Sequence, residues 1–211
     1  MTDTVMTGVP DISADWYHDI VEFADGTPQP VQGFAAHFTE GAILLLGVLL
    51  ALAAVTRLLG GDVRARALAL AAPVSVLLAY GGSEGLKSLV AEERPCRSPA
   101  DLVIVAGHCP PVGDWSFPSN HATIAGALAG ATLLLHRRIG LIAAPLAVLA
   151  ALSRTFIGVH YPHDVAAGLL LGVLVTTLIT PLAARPTAEM LRWWVRRSAR
   201  PVVDARGPAR R

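Results

Sequence analysis

The stretch FPSNHATIAGALAGATLLL, residues 117–135, joins a polar beginning to a long apolar continuation that contains no Asp, Glu, Lys or Arg. Ser119 and Asn120 precede the apolar part, and either residue type is an ordinary cap for the start of a helix. The same position presents free backbone N–H groups and the positive helix end to an anion. The stretch therefore predicts an apolar helix, and it leaves open whether its polar end only caps the helix or also binds an anion.

Four further stretches lack Asp, Glu, Lys and Arg: residues 41–56, 67–83, 139–153 and 165–184. Several are shorter than the roughly 20 residues that span a bilayer. We therefore expect the stretch at 67–83 to run on to about residue 90, and the stretch at 139–153 to run on to about residue 159. At 53% hydrophobic and 16% charged residues, with a mean hydropathy of +0.52, the chain is too apolar for an ordinary soluble domain. The prediction is an all-α integral-membrane helical bundle with about five transmembrane helices. A helical bundle buried in water is the alternative, and it would leave little polar surface to solvate.

The placement of charge predicts the orientation, because loops rich in Lys and Arg tend to stay in the cytoplasm. No Lys or Arg precedes Arg57, whereas the next connection also carries Arg64 and Arg66. We therefore expect the N-terminus outside and the arginine-rich C-terminus in the cytoplasm. No basic region precedes a short apolar stretch, so no cleaved signal peptide is predicted. The expected units are an extracytoplasmic interfacial segment at 1–40, a membrane-embedded domain at 41–184 and a basic cytoplasmic tail at 185–211.

Both ends of the chain carry patterns typical of helices that lie on a membrane interface. Ile12, Trp16, Ile20 and Phe23 recur at near-helical spacing before the first apolar stretch. Apolar residues and arginines mix over residues 190–197, which fits a segment attracted to anionic lipid headgroups. The alternative for each end is a disordered tail.

The polar connection at about residues 91–118 contains both cysteines, Cys96 and Cys109. In the predicted topology this connection lies on the oxidising side of the membrane, where two cysteines can pair. The sequence does not fix the geometry that a disulfide requires, so a disulfide and two free thiols both remain open.

Polar patches stand at the outer ends of three apolar stretches, where ionisable groups are costly and indicate function. The patches are KSLVAEERP at 87–95, FPSNHAT at 117–123 and SRTFIGVHYPHD at 153–164. Taken singly, they fit a snorkelling lysine, a capping serine and an interfacial histidine. His160 and Asp164 are four residues apart, a spacing that lets a carboxylate hydrogen-bond an imidazole. Together the patches supply what phosphoryl transfer needs: fixed cations, a nucleophile and an acid for the leaving group.

The three patches resemble the type 2 phosphatidic acid phosphatase (PAP2) family, whose pattern reads KxxxxxxRP, then PSGH, then SRxxxxxHxxxD. Here the pattern stands as Lys87 with Arg94 and Pro95, as PSNH at 118–121, and as Ser153 and Arg154 with His160 and Asp164. The resemblance covers roughly residues 67–184. The one departure is Asn120 in place of the family glycine: it either adopts a backbone conformation that glycine reaches freely or contacts the phosphate through its amide.

The resemblance implies a role for each matching residue. His160 is the nucleophile, Asp164 orients it, and His121 is the acid for the leaving group. The phosphate ligands are Lys87, Arg94, Ser119, Asn120 and Arg154. Lys87, Arg94 and Arg154 lie on the predicted outer side, where the charge rule expects few cations, and a phosphate-binding role accounts for their presence. No metal or cofactor is expected, since we find no Asp or Glu cluster suited to Mg²⁺. His163 and His108 lie outside the pattern and are expected to be an interfacial neighbour and a solvated loop residue.

The resulting hypothesis is a metal-independent phosphatase for a lipid phosphate or diphosphate, acting through a phosphohistidine at the extracytoplasmic face of a bacterial-type plasma membrane. An undecaprenyl or decaprenyl diphosphate is the first candidate substrate. Phosphatidylglycerol phosphate, phosphatidic acid and a polyprenyl-linked sugar phosphate are the alternatives. A vanadium-dependent haloperoxidase shares such a pocket but is soluble, and a non-catalytic lipid-binding protein would be expected to have lost a histidine or arginine. Membrane lipids are the expected partners and nucleic acid is not; the oligomeric state stays open.

Overall fold

Six α-helices make up most of the computed structural model, which describes residues 9–97 and 103–198. They are α1 (Asp11–Asp25), α2 (Gln29–Gly60), α3 (Val63–Val90), α4 (Asn120–Leu135), α5 (Arg137–Phe156) and α6 (Pro162–Ser198). A 3-10 turn spans Pro95–Arg97, and no strand occurs within the described ranges. The predicted all-α fold is confirmed. Residues 1–8 and 199–211 of the predicted terminal segments lie outside the described residues.

Four of these helices, α2, α3, α5 and α6, are long and apolar enough to cross a membrane. At 16 residues α4 is shorter, and it is buried along most of its length. Arg57, near the end of α2, donates a 2.5 Å hydrogen bond to the carbonyl oxygen of Leu135 at the end of α4. The starts of α4 and α6 and the ends of α3 and α5 lie at the opposite end of the bundle. The helices therefore alternate in direction, with α4 as the central member among four membrane-length helices.

The central pair, α4 and α6, is packed through glycines that leave no room for a side chain. A Cβ atom at Gly126 would collide with the backbone of Leu169, and one at Gly172 would collide with the backbone of Thr123. Small residues at four-residue spacing let two helix backbones approach closely. The close approach positions the first turn of α6 beside the start of α4.

The N-terminal helix α1 lies across the end of the bundle at which α4 begins. Its Tyr17 hydroxyl donates a 2.9 Å hydrogen bond to the carbonyl oxygen of Gly158, just after α5. Ile12, Trp16 and Phe23 are exposed, so α1 has one packed face and one exposed apolar face; its position on a membrane interface stays a prediction. The next helix, α2, begins at Gln29 and has Pro30 in its first turn. Proline is well tolerated there, because the first backbone N–H groups of a helix have no partner within the helix. The borders expected between the three units of the chain, at residues 40/41 and 184/185, fall inside the continuous helices α2 and α6. Residues 190–197, which were expected to form a separate interfacial segment, are part of α6.

We predict that Gly172→Ala destabilises the bundle, because the added methyl group forces α4 and α6 apart. Overpacking of this kind typically costs about 1–3 kcal/mol. Thermal unfolding of the purified chain in detergent micelles measures the effect. Gly47→Ala in α2 is the matched control, since a Cβ there meets no atom within 4 Å. The control is expected to keep or gain stability, and equal stability of the two variants would contradict the close contact.

Candidate active site

The three polar patches of the sequence meet at one end of the bundle. Lys87 is in the last turn of α3, Ser119 caps α4, and Arg154 is in the last turn of α5. Arg94 and His160 come from the connections that follow α3 and α5. Of these five residues all but Arg154 are classed as buried, and the Arg154 side chain is 11% exposed. The alternating helix directions thus bring residues far apart in sequence to one site.

The imidazole of His160 is held between a carboxylate and a guanidinium. Its Nδ1 lies 3.3 Å from Oδ2 of Asp164, and its Nε2 lies 2.9 Å from Nη1 of Arg94. Arginine has only donors, so Nε2 must be the unprotonated nitrogen and Nδ1 carries the proton that Asp164 accepts. Burial lowers the pKa of His160 to about 3, which outweighs the opposite effect of the Asp164 hydrogen bond. The site therefore holds a neutral histidine whose Nε2 lone pair accepts a hydrogen bond from Arg94.

Asp164 is held by hydrogen bonds that other residues donate to its side chain and to its backbone carbonyl oxygen. Its Oδ2 accepts hydrogen bonds from Ser116 Oγ at 2.5 Å and from the backbone N–H of Tyr161 at 2.9 Å. Its carbonyl oxygen accepts from the backbone N–H of Ser119 at 3.1 Å. Ser116 is a residue of the site that the sequence patterns did not reveal. It precedes the FPSNHAT patch by one position, and a polar residue there is common in loops.

A second carboxylate, Asp114, bridges two of the predicted phosphate ligands. Its Oδ1 lies 2.9 Å from Lys87 Nζ and 2.9 Å from Arg94 Nη2, and its carbonyl oxygen accepts from Arg94 Nε at 2.8 Å. Burial raises the pKa of Asp114, but the hydrogen bonds from Lys87 and Arg94 outweigh this and hold it below its usual range. One carboxylate thus pairs with two of the cations that were predicted to bind phosphate. Asp114 belongs to none of the three sequence patches, so its contact with Lys87 and Arg94 was not predicted.

A third carboxylate, Glu40 of α2, contacts Arg154, the remaining arginine of the site, and also His121. Its Oε1 lies 2.9 Å from His121 Nε2 and 3.6 Å from Arg154 Nη1. Arg154 also donates a 3.3 Å hydrogen bond to Thr39. The Glu40 side chain is 67% exposed, so it can move away at little cost. In the sequence it counted only as one acidic residue of the predicted outer segment.

Ser119 and Asn120 occupy the start of α4. Ser119 Oγ accepts a 3.5 Å hydrogen bond from the backbone N–H of Ala122, which is the capping role. Asn120 is the first residue of the helix, and its Oδ1 accepts from Ser83 at 2.7 Å while its Nδ2 donates to Glu84. Its backbone φ is not among the positive values found in the described residues. The departure from the family glycine is therefore accommodated by side-chain contacts with α3, without glycine-like backbone.

The connection that carries Arg94 and Asp114 is closed by a disulfide between Cys96 and Cys109, whose Cα atoms are 5.6 Å apart. Arg97 fastens the same connection by donating a 2.9 Å hydrogen bond to the carbonyl oxygen of Pro110. The sequence left open whether the two cysteines form a disulfide or remain free thiols, and in the structure they form the disulfide. The loop histidine, His108, is exposed.

His163, which was expected to be an interfacial neighbour, contacts two carboxylates beside His160. Its Nε2 lies 3.2 Å from Glu92 Oε1 and 3.3 Å from Asp164 Oδ1. The ligand-type atoms of these three residues all lie within 4.8 Å of one another. The sequence analysis found no acidic cluster suited to Mg²⁺, because these residues come together only through the turn before α6 and the connection after α3.

Comparison with known proteins gives a family model, described as the PAP2 superfamily, that matches residues 68–187. Decaprenylphosphoryl-5-phosphoribose phosphatase of Mycobacterium tuberculosis is 38% identical over 114 residues, 52% of this chain and 58% of that protein. Undecaprenyl-diphosphatase of Sulfolobus acidocaldarius is 34% identical over 119 residues, 54% of this chain and 55% of that protein. The matched part thus spans little more than half the length of either relative.

Among solved structures, the crystal structure of Aquifex aeolicus LpxE superposes with a TM-score of 0.57, covering 84% of this chain and 98% of that one. The two chains are 22% identical, so this likeness concerns the fold. It shows that the helical arrangement around the site has a counterpart in an experimentally determined structure.

We predict that Asp114→Asn strengthens the binding of inorganic phosphate and vanadate. The amide keeps the shape of the side chain but removes the negative charge that competes for Lys87 and Arg94. Affinity should rise about three- to tenfold, the effect of roughly 1 kcal/mol at two partly exposed ion pairs. Isothermal titration calorimetry on the purified chain measures it. Glu93→Gln, which removes an exposed carboxylate paired with Arg97 in the same connection, should change little. Weaker anion binding by Asp114→Asn would contradict the competition.

Proposed function

We propose that this chain, which belongs to the PAP2 superfamily, removes phosphate from a lipid phosphate or lipid diphosphate at one face of a membrane. The predicted family is thereby confirmed. The observation that carries the proposed activity is the unprotonated Nε2 of His160, held 2.9 Å from Arg94 with its other nitrogen on Asp164. A neutral, oriented imidazole beside fixed cations is what a nucleophile for a phosphate ester requires.

In the first step His160 Nε2 attacks phosphorus, so that a P–N bond forms while the P–O bond to the lipid breaks. The imidazole becomes positively charged as it attacks, and Asp164, hydrogen-bonded to Nδ1, stabilises that charge. His121 gives its proton to the departing oxygen. Lys87, Arg94 and Arg154 neutralise the charge on the phosphoryl oxygens.

In the second step a water molecule attacks phosphorus and the P–N bond breaks. His121, which lost its proton in the first step, now takes one from the water. Phosphate leaves, and His160 returns to its neutral form. Glu40, whose carboxylate lies 2.9 Å from His121 Nε2, is placed to accept a hydrogen bond from the protonated imidazole between turnovers.

Substrate entry replaces the two internal carboxylates by phosphate. Asp114 leaves Lys87 and Arg94, and Glu40 leaves His121 and Arg154, as the phosphoryl oxygens take their positions. The exposed fractions of the Asp114 and Glu40 side chains, 44% and 67%, support this exchange because both can move into solvent. The positive charge of the pocket is thus balanced both before and after binding.

A polyprenyl-linked phosphate or diphosphate is the substrate class that we infer first. Two relatives carry names for phosphatases of decaprenyl- and undecaprenyl-linked substrates. The exposed apolar residues of α1 beside the site support a substrate whose tail stays in the membrane. Phosphate release by the purified chain from undecaprenyl diphosphate, decaprenylphosphoryl phosphoribose, phosphatidylglycerol phosphate and phosphatidic acid ranks these candidates.

The roles of the two histidines predict different defects. His160→Ala should abolish turnover and leave no covalent phosphoenzyme, because the nucleophile is gone. His121→Ala should slow lipid hydrolysis by about 10² to 10⁴, the usual cost of losing a general acid, but it retains the nucleophile. An aryl phosphate has a better leaving group, so His121→Ala should recover activity on it while His160→Ala does not.

Rapid quench with labelled substrate measures the acid-labile phosphate on the protein directly. His18→Ala, at an exposed position of α1, is the matched control and should resemble the parent chain. Undiminished label in His160→Ala would refute its assignment as nucleophile.

The site is proposed to face the outside of a bacterial-type plasma membrane, with the C-terminal end of α6 in the cytoplasm. The arginines near Arg57 and Arg137 at the opposite end of the bundle support this orientation. Because Cys96 and Cys109 are paired, a single introduced cysteine gives the only free thiol of the 211-residue chain.

We therefore predict that Asp25→Cys, at the end of α1, reacts with an impermeant thiol reagent in intact cells. Arg64→Cys, in the first turn of α3, should react only after the cells are opened. Both positions are exposed in the structure, so reactivity reports the side of the membrane. The reverse pattern of labelling would place the site in the cytoplasm.

A further inference from the structure

The imidazole of His163 is held rigidly beside the proposed active site. It stacks with Phe117 and with Tyr161, at ring-centroid distances of 5.7 Å and 5.6 Å. Ser13 of α1 lies 2.7 Å from its Nδ1. The two ring contacts and the contact at Nδ1 hold the imidazole so that Nε2 lies beside Glu92 and Asp164.

Three carboxylate oxygens crowd around this one nitrogen. Nε2 lies 3.2 Å from Glu92 Oε1, 3.3 Å from Glu92 Oε2 and 3.3 Å from Asp164 Oδ1. A single N–H donates one good hydrogen bond, and three acceptors compete for it. Glu92 Oε1 and Asp164 Oδ1 are buried and accept no hydrogen bond from any described residue.

Such unpartnered oxygens are costly. The Glu92 and Asp164 side chains are only 10% and 0% exposed, so bulk water does not compensate them. The cluster therefore has more buried acceptors than donors and a deficit of positive charge.

From this arrangement we propose that Glu92, His163 and Asp164 form a binding site for a divalent transition-metal ion of the Zn²⁺ type. One imidazole nitrogen with two carboxylate oxygens is a ligand set that zinc accepts. Bonds of about 2.0 Å in a tetrahedral site put neighbouring ligand atoms about 3.3 Å apart. The two distances from Nε2 to the unpartnered oxygens already have this value.

Ser13 completes the site by acting on the tautomer of His163. A metal on Nε2 requires that Nδ1 carry the proton, and the Ser13 hydroxyl oxygen at 2.7 Å is positioned to accept it. The His163 side chain is 22% exposed, so the cluster lies near the surface of the protein. The N-terminal helix thus takes part in the site through one hydroxyl.

Metal binding here inhibits the activity, a consequence that rests on the proposed function. Asp164 would be shared: Oδ2 accepts from His160, while Oδ1 binds the metal. The dication withdraws negative charge from the carboxylate, which then stabilises the developing imidazolium of His160 less well. Turnover falls, whereas phosphate binding at Lys87 and Arg94 is unaffected.

Calorimetry with ZnCl₂ on the chelator-treated full chain in micelles tests the binding. We expect one Zn²⁺ per chain and no comparable binding of Mg²⁺. His163→Gln should weaken binding at least about tenfold, and Ser13→Ala about 10- to 100-fold, as outer-shell changes do. The matched controls His18→Gln and Glu93→Gln should bind as the parent does. Absence of a stoichiometric site, or equal affinity in His163→Gln, overturns the proposal and leaves a protonated His163 as the cation of the cluster.

Phosphate release with increasing Zn²⁺, and after addition of EDTA, tests the coupling. In Zn²⁺ the kcat of the parent chain should fall with little change in KM, and EDTA should restore it. The rate of His163→Gln at the same Zn²⁺ concentration should equal the rate of that variant without metal. Zinc that binds without changing the rate overturns the inhibitory role. Failure to release phosphate from any lipid in EDTA refutes the proposed function, whereas calorimetry still decides on the metal site.

Discussion

A fully buried carboxylate at the start of α6 is the constraint on which the site depends. Asp164 is 0% exposed, and a buried charge is costly unless donors surround it. Those donors are Ser116, the backbone of Tyr161 and His160, while the Asp164 carbonyl oxygen accepts from Ser119. Because the donors come from the α5–α6 connection and from the connection before α4, satisfying this one residue aligns both connections with the start of α6.

The helix packing makes that alignment possible. Gly168 and Gly172 face α4 with no space for a Cβ, so the backbones of α4 and α6 approach closely enough for Ser119 to reach Asp164.

At the same end, the cations of the site are paired with internal carboxylates. Lys87 and Arg94 have Asp114, which limits the cost of placing them at a membrane edge. The same pairing underlies the proposed exchange, in which a phosphate oxyanion replaces the Asp114 carboxylate on these two cations.

The sequence predicted the features that depend on local pattern. Apolar runs predicted the helices, with the second running to residue 90 as expected, and the spacing of His160 and Asp164 predicted their contact. The fourth run ended at Phe156 instead of about residue 159, because the chain turns at Gly158, whose φ is +86°. Local patterns of this kind carry information on period and length, and hence on which residues are helical.

Features that depend on contacts distant in sequence were not predictable in the same way. Glu40 and His121 are 81 positions apart, and His163 and Ser13 are 150 apart. Gly47 and Gly172 look alike in the sequence, yet one faces open space and the other the backbone of a neighbouring helix.

The two oxygens of Asp164 have unequal surroundings, and this inequality follows from its position. Oδ2 faces the interior of the site, where Ser116 and the backbone N–H of Tyr161 saturate it and fix its direction toward His160. Oδ1 faces outward to His163, with no hydrogen-bond donor among the described residues. The carboxylate is therefore held in place by one oxygen, while the other remains able to accept a hydrogen bond or a cation. Any ion bound by the outer oxygen acts on His160 through a single shared group, without a conformational change, because the donors on Oδ2 keep the carboxylate fixed.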